Sequence, residues 1–373
     1  MDARAPVAPP YVAGPFRLHP FRGIMLAPSR VGDPSSARAF ARPFREVADR
    51  LTRWQERGYA HRDDQPAVYL HEYTAGGMTV RGLVGALDLT RRAASPEQRV
   101  VLPHEGIHPD QVADLADRMF QMQVNPAPIL MVHRGPQAAR TLIHGLLDTK
   151  PDHEFTDRAE QRNRIWAIRS PQQLTELADA LSGCRALIAD GHHRYAAYLR
   201  MQENHPGGAT DRGLAMLVDQ DDTPLFLGAI HRVLRGTGFD DVATAAAGLG
   251  DFRPTTEARA VAALAADTLV VTDGQQWAAL RLYLGEGRAS VEVLHEQLLP
   301  KLPRPPRRIA YHHSVEDTLA DLPARNAVAV LMPAPDYDLV RRAVTGEHLL
   351  PEKATSFQPK PSLGVLMRSL RDE

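Results

Sequence analysis

The run Ala186-Leu187-Ile188-Ala189-Asp190-Gly191-His192-His193-Arg194-Tyr195-Ala196-Ala197 decides how the chain is read. Its four leading apolar residues make a short buried strand, and good helix formers carry on from Tyr195 to Glu203. Asp190-Gly191 between them marks a tight turn, because glycine has no Cβ to clash at positive φ. The backbone amides of His193, Arg194 and Tyr195 are then expected to be the orphan donors of the new helix. Such donors and the helix dipole attract an anion, most often a phosphate. Two imidazoles and a guanidinium beside them add donors of the right sign. Asp190, at the strand end, suits a magnesium ion or a proton. An Asp-Gly step before a helix also occurs as a plain turn or cap. Five consecutive residues with little packing value favour a phosphate or nucleotide site.

Strand and helix alternate outward from this run. Ala67 to Tyr73 and Gly82 to Leu89 read as strands. Pro109 opens a helix with Val112, Leu115, Met119 and Met122 on one apolar face. Further strands are expected at Pro128–Val132, Leu214–Val218, Leu225–Ile230, Leu269–Val271, Ala278–Leu284 and Ala327–Met332, and a helix at Leu174–Leu181. The class is mixed α/β (α+β), with no internal repeat. Residues 1–10 are Pro- and Ala-rich and read as a flexible lead, 11–235 as the phosphate-binding core. After Arg235-Gly236-Thr237-Gly238 a C-terminal α/β half, 236–373, begins. Its last stretch carries Phe357, Val365, Leu366 and Met367 and is expected to fold back on the body.

Composition narrows the functions. The 373 residues hold 44 Lys and Arg against 45 Asp and Glu, so no global basic field exists to hold nucleic acid or anionic lipid. With 43% hydrophobic and 24% charged residues the chain is neither disordered nor collagenous. A lone Cys184 can form neither an internal disulfide nor a cysteine zinc cage, which suits a reducing, cytoplasmic setting. No apolar stretch approaches the ~18–20 residues of a membrane span, and Met1–Pro20 lacks the pattern of a signal peptide.

His104-Glu105-Gly106-Ile107-His108 matches H-E-x-x-H, the zinc-protease pattern. That chemistry needs both histidines on one helical face. Here the segment follows the apparent strand Arg99–Leu102, contains Gly106 and runs straight into Pro109. A residue before proline is pushed out of helical geometry, whereas proline suits the first helical position. The motif is therefore expected in a strand-to-helix turn, where a Glu and two His can still serve a site. Lys353, Thr355, Ser356 and Lys360 form a second cluster of phosphate-compatible groups. His231 and Arg232, expected to end the strand from Leu225, are secondary ligand candidates. His312-His313 reads as structural.

The run Asp190 to Ala197 resembles the signature of domain-of-unknown-function family 1015, itself distantly similar to the ParB/sulfiredoxin superfamily. The resemblance covers nearly the whole chain. It includes Pro20-Phe21-Arg22-Gly23, Arg30-Val31-Gly32-Asp33, the His104-Glu105 turn, and Asn125 to Leu130. It continues through His231-Arg232-Val233 and Pro351 to Pro361. It implies a ParB/sulfiredoxin-like mixed-sheet core with the additional C-terminal α/β half. Sulfiredoxin-like proteins carry a nucleophilic cysteine in this turn. Here His192 stands in that place, so sulfinic-acid reduction is not implied. ParB-type nucleases and clamps normally add a helix-turn-helix DNA domain, and none is evident. The remaining branch contains free-serine kinases.

What the resemblance implies is a small-molecule kinase. It would transfer a phosphoryl group from ATP, ADP or pyrophosphate to the hydroxyl of free L-serine or a related hydroxy acid. Mg2+ would bridge the donor phosphates. Gly191, His193 and Arg194 are assigned to the donor phosphates, with His231, Arg232, Lys353, Thr355 and Lys360 as further ligands. Asp190 is assigned to the metal or to second-base duty, His192 to the catalytic group, and Glu105 to preparing the acceptor hydroxyl. A non-catalytic nucleotide sensor or clamp, or a ParB-type nucleic-acid-processing protein, are the alternatives. Where the family carries Ala-Pro-Pro-Tyr-Asp, this chain reads Ala41-Arg42-Pro43-Phe44-Arg45, and the added arginines favour a more anionic ligand.

Overall fold

The computed structural model describes residues 6–322, 326–345 and 349–372. The chain divides into two compact units. The first takes the described residues up to Pro103, Ile107–Leu225 and the stretch from Pro359; the second takes His104–Gly106 and Phe226–Gln358. The second unit thus begins at Phe226 rather than at Gly236. The cause is the strand His231–Arg235, whose two ladder partners, Arg308–His312 and Ala327–Leu331, both belong to the second unit.

A mixed sheet forms the first unit. Its strands are β1 (Leu18–His19), β2 (Val68–Ala75), β3 (Met78–Asp88), β4 (Val101–Leu102), β5 (Ile129–His133), β6 (His153–Thr156), β7 (Arg162–Ile168), β8 (Ala186–Asp190) and β9 (Arg212–Asp219). Their order is β4-β8-β5-β9-β3-β2-β7-β6, with β1 added on β3. β4 with β8 and β5 with β9 run parallel, and the other neighbours antiparallel. β5 is buried throughout, and so is β9 beyond its first residue, as expected of strands covered on both faces. β2 and β3 join through Gly76-Gly77, both at positive φ, the backbone that a two-residue hairpin turn demands.

Two helices of this unit pack against each other. α1 (Pro109–Met122) has Pro109 in its first turn and buries Val112, Ala116, Met119 and Met122, with Leu115 only half-buried. α2 (His192–Asn204) buries Tyr195, Ala196, Ala197, Tyr198, Leu199 and Met201, nearly its whole circumference. The N-terminal stretch is held from Val7 onward rather than loose. Val7 and Ile107 exchange backbone bonds of 2.9 Å, and the Tyr195 hydroxyl donates to the Pro10 carbonyl at 2.8 Å. At the other end Met367–Ser369 pairs with Gly23–Leu26, so the last residues do return to this unit. Cys184 is buried, which pushes its thiol up to about 11 and keeps it protonated at neutral pH.

His71 on β2 lies 2 % exposed, its Nε2 2.9 Å from Asn163 Oδ1. Burial lowers its pKa from 6.5 to about 4, so the folded protein keeps it neutral. Between those two values the unfolded chain binds the extra proton, and stability therefore falls as pH drops through that window. Urea unfolding followed from about pH 7 downward is expected to show this loss, with a shallower slope in His71→Gln. An identical slope in the variant would contradict the buried neutral imidazole.

The second unit has its own six-stranded sheet: β10 (His231–Arg235), β11 (Gly250–Thr255), β12 (Thr268–Thr272), β13 (Trp277–Leu282), β14 (Arg308–His312) and β15 (Ala327–Leu331). The order is β11-β13-β12-β15-β10-β14, antiparallel at every step. Val270, Leu331 and Ala260 pack in its core. The strand expected over Leu225–Ile230 is shorter: Phe226–Gly228 pairs with Ser356–Gln358, and β10 starts at His231. His231 therefore opens a strand rather than ending one. Among the described residues no helix is long and apolar enough to cross a membrane.

Candidate functional site

The strand-turn-helix at β8 and α2 has the form expected from the sequence, with one refinement. Pairing with β5 passes from Ile188–Met131 straight to Asp190–Leu130, leaving Ala189 as a bulge. A bulge bends its strand and re-aims the side chains that follow, here Asp190. Gly191 then takes φ 97°, ψ 33°. A Cβ there would stand 3.0 Å from Nε and from NH2 of Arg194. Glycine is thus favoured by its backbone conformation, and a Cβ would also crowd the Arg194 guanidinium. The Tyr195 amide donates to the Gly191 carbonyl at 2.8 Å. It is the first helical bond, so Tyr195 does not offer its amide to a ligand as expected. The first turn of α2 has neither a side-chain cap nor an acidic residue to neutralise the positive end of its dipole.

Asp190 sits between two cations. Its Oδ2 accepts from Arg194 NH2 at 2.5 Å, and its Oδ1 pairs with the Lys360 ammonium. Arg194 is fixed from behind, NH1 donating to the Pro128 carbonyl at 2.8 Å. One carboxylate against two cations leaves the cluster net positive. This does not fit a magnesium ion resident on Asp190, because both oxygens already face cations and a divalent ion would be repelled by them. The arrangement suits an anion instead.

Around this turn, His193 Nε2 accepts from the His108 amide at 3.2 Å, and the two rings stack with centroids 6.0 Å apart. The residue immediately before α1 thereby sets the orientation of an imidazole on α2. His192, expected to be catalytic, is buried at 6 % exposure in the first position of α2. The H-E-x-x-H stretch is not helical, since α1 starts only at Pro109. His108 belongs to the first unit and His104 to the second.

Five of the expected ligands lie in the second unit. Glu105 forms a parallel bridge with Leu350, whose amide donates to the His104 carbonyl at 2.8 Å. His104 is fully buried, with Nε2 2.7 Å from Thr355 Oγ1. Arg232, 1 % exposed, donates to the Ile230 and Lys353 carbonyls and approaches His295 Nε2 at 3.3 Å. Burial lowers Arg232 to about 10, with Tyr311 and Glu105 acting in the opposite sense. Its donors are largely spent on the fold. It also lines a cavity with Ile230, Arg288, Val291, Met332 and Leu339. His231 accepts the Met332 amide on Nδ1 at 3.0 Å, and burial followed by Arg232 lowers it to about 4. Lys353 adopts φ 58°. The cluster expected from Lys353 to Lys360 is therefore divided, Lys360 alone of its basic residues standing with Asp190 in the first unit.

The substituted segment Ala41–Arg45 lies in the first unit, and its Arg42, Pro43, Phe44 and Arg45 line an open cleft with Asp114 and Asp117 of α1. Arg42 and, from α1, Arg118 lie 5.7 and 5.8 Å from the Phe44 ring. The cleft therefore carries charges of both signs and not a purely basic lining.

The family described as a protein of unknown function (DUF1015) matches residues 18–302. The chain belongs to this family. No curated protein matches the DUF1015 chain. Among solved structures it is similar to C-terminally truncated SbnI from Staphylococcus aureus, with 12% identity and a TM-score of 0.44 over 77% of this chain and 88% of that one. A conserved hypothetical protein from Pyrococcus furiosus matches with 17% identity and a TM-score of 0.40 over 73% and 93%. A free serine kinase in complex with AMP matches with 15% identity and a TM-score of 0.39 over 77% and 92%. The fold of this DUF1015 member is mixed α/β, with one large mixed sheet and further sheets beside it.

Proposed function

We propose that the Asp190–Arg194 turn binds the terminal phosphates of a small-molecule donor. In this reading the protein is a phosphotransferase that acts on the hydroxyl of free L-serine or a related hydroxy acid. The observation that carries the reading is the convergence of Arg194 and Lys360 on Asp190 at the uncapped start of α2. A phosphate carries more charge and more acceptor oxygens than one carboxylate, so it competes well for those same donors. The Pro128 carbonyl keeps Arg194 in place, which lowers the cost of ordering it on the ligand. Gly191 and His193 complete the donor side. ATP, ADP and pyrophosphate all present the required groups, and magnesium would arrive on their phosphate oxygens.

The acceptor class rests on the resemblance of the Asp190–Ala197 run to the DUF1015 signature and on that family's distant similarity to the superfamily that contains free-serine kinases. Glu105 is proposed to take the acceptor's proton as its oxygen forms the new bond to phosphorus and the bond to the donor's leaving phosphate breaks. His192, His231, Arg232 and Thr355 are given supporting roles, because they are buried or already engaged, and the exposed Lys353 remains a proposed phosphate ligand. A nucleotide sensor without turnover is the second reading, favoured by the cations that already neutralise Asp190.

Binding tests the donor site directly. Arg194→Ala is expected to weaken pyrophosphate and ATP about 10–100-fold by calorimetry, the usual cost of losing a charge-assisted hydrogen bond. Lys360→Ala costs less, since its side chain is 47% exposed. Affinity unchanged in Arg194→Ala would remove the turn from the account.

A further inference from the structure

Three side chains of the first unit, none of them in the Asp190 turn, turn ligand atoms toward one another. His61 lies on the strand Ala60–Arg62 and Asp63 stands two residues later, so both face the same side of an extended segment. His153 opens β6. One ligand atom from each of His61, Asp63 and His153 lies within 4.8 Å of the other two. His61 Nε2 is 3.3 Å from Asp63 Oδ1, and the two imidazole rings are 5.6 Å apart. A simple histidine–aspartate hydrogen bond accounts for the first distance but gives no reason for the second imidazole.

The carboxylate is held as a metal ligand usually is. Asp63 is 5 % exposed, and its two oxygens have separate partners. Oδ2 accepts from the Tyr69 hydroxyl at 2.7 Å and lies 3.4 Å from Arg169, which leaves Oδ1 facing the imidazoles. Tyr69 is itself anchored, its oxygen accepting the Gly23 amide at 2.7 Å. Outer partners of this kind fix a ligand's orientation and raise metal affinity. The His61 side chain is 59% exposed, which gives an entry path and leaves room for water or a ligand oxygen.

We propose that His61, Asp63 and His153 bind a divalent first-row transition-metal ion, with zinc the best fit. Two imidazoles and one carboxylate suit such ions, whereas magnesium and calcium prefer oxygen ligands throughout. Three protein ligands with open positions resemble a reactive zinc centre more than a closed structural one. Arg169 opposes the dication from the far side of Asp63, and holds the affinity below that of an all-enclosed site. The site is independent of the phosphotransferase reading and stands or falls separately from it.

The test uses the full chain, stripped with a chelator and titrated with cobalt(II) as a visible probe and with zinc by calorimetry. One saturable equivalent is expected, with cobalt bands of a nitrogen–oxygen site that zinc abolishes. His61→Ala, an exposed position that does not endanger folding, is expected to weaken binding about 100-fold or more, and His153→Ala likewise. Tyr69→Phe, which touches only the positioning partner of Asp63, is expected to weaken it about 10-fold with the cobalt spectrum shifted but present. His144→Ala serves as the control, an exposed histidine 3.2 Å from Asp222 outside the cluster, and is expected to bind as the parent does. Absence of a saturable equivalent, or binding unchanged in His61→Ala, would overturn the proposal.

Discussion

Glu105→Gln is expected to lower turnover about 10²–10⁴-fold, the range that removal of a general base costs, while leaving ATP and pyrophosphate affinity unchanged. The substitution keeps the side chain's size and removes only its charge and basicity. The backbone bridge from Glu105 to Leu350 does not involve the carboxylate and is preserved. The two constants should therefore separate: kcat falls and the donor's Kd does not. If donor affinity falls in step with turnover, Glu105 belongs to binding rather than to proton transfer. Unimpaired turnover would remove it from the chemistry altogether.

Gly191→Ala is expected to damage both fold and site. Its φ of 97° costs an alanine about 1–3 kcal/mol of backbone strain, and the new Cβ meets the Arg194 guanidinium at 3.0 Å. The protein can relieve that contact by moving Arg194 off Asp190, which disperses the phosphate donors. Thermal unfolding several degrees lower, together with pyrophosphate binding reduced about 100-fold or more, is the expected result. Gly183→Ala is the matched control, because a Cβ there meets nothing within 4 Å. Equal behaviour of the two variants would contradict the tight turn as the organiser of the site.

The strand, turn and helix at Ala186–Asn204 were legible because each signal is local: an apolar run, an Asp-Gly step, then helix formers. The H-E-x-x-H segment was also readable as a turn, since Pro109 constrains its own neighbour. What the sequence hides is pairing at a distance. Lys360 stands out by residue type as a phosphate-compatible group, but nothing near it in sequence indicates Asp190 as its partner. Arg232 reads as a ligand by type, yet lies 1 % exposed with its donors on backbone carbonyls, because β10 is central enough to bury it. The boundary between the units is hidden for a related reason: in sequence β10 looks like the end of one apolar stretch, whereas its partners β14 and β15 belong to the second unit. His61 and Asp63 offer a spacing of two that a strand turns to one side, whereas His153 joins them only through the sheet.

Phosphorus NMR of the full chain with magnesium and each of ATP, ADP and pyrophosphate, with and without L-serine, tests the central claim most directly. The account predicts that the donor resonances shift on adding protein, less so with Arg194→Ala, and that a new phosphomonoester signal grows only when serine is present. Donor resonances untouched by the protein, and no phosphomonoester with any donor, would contradict it.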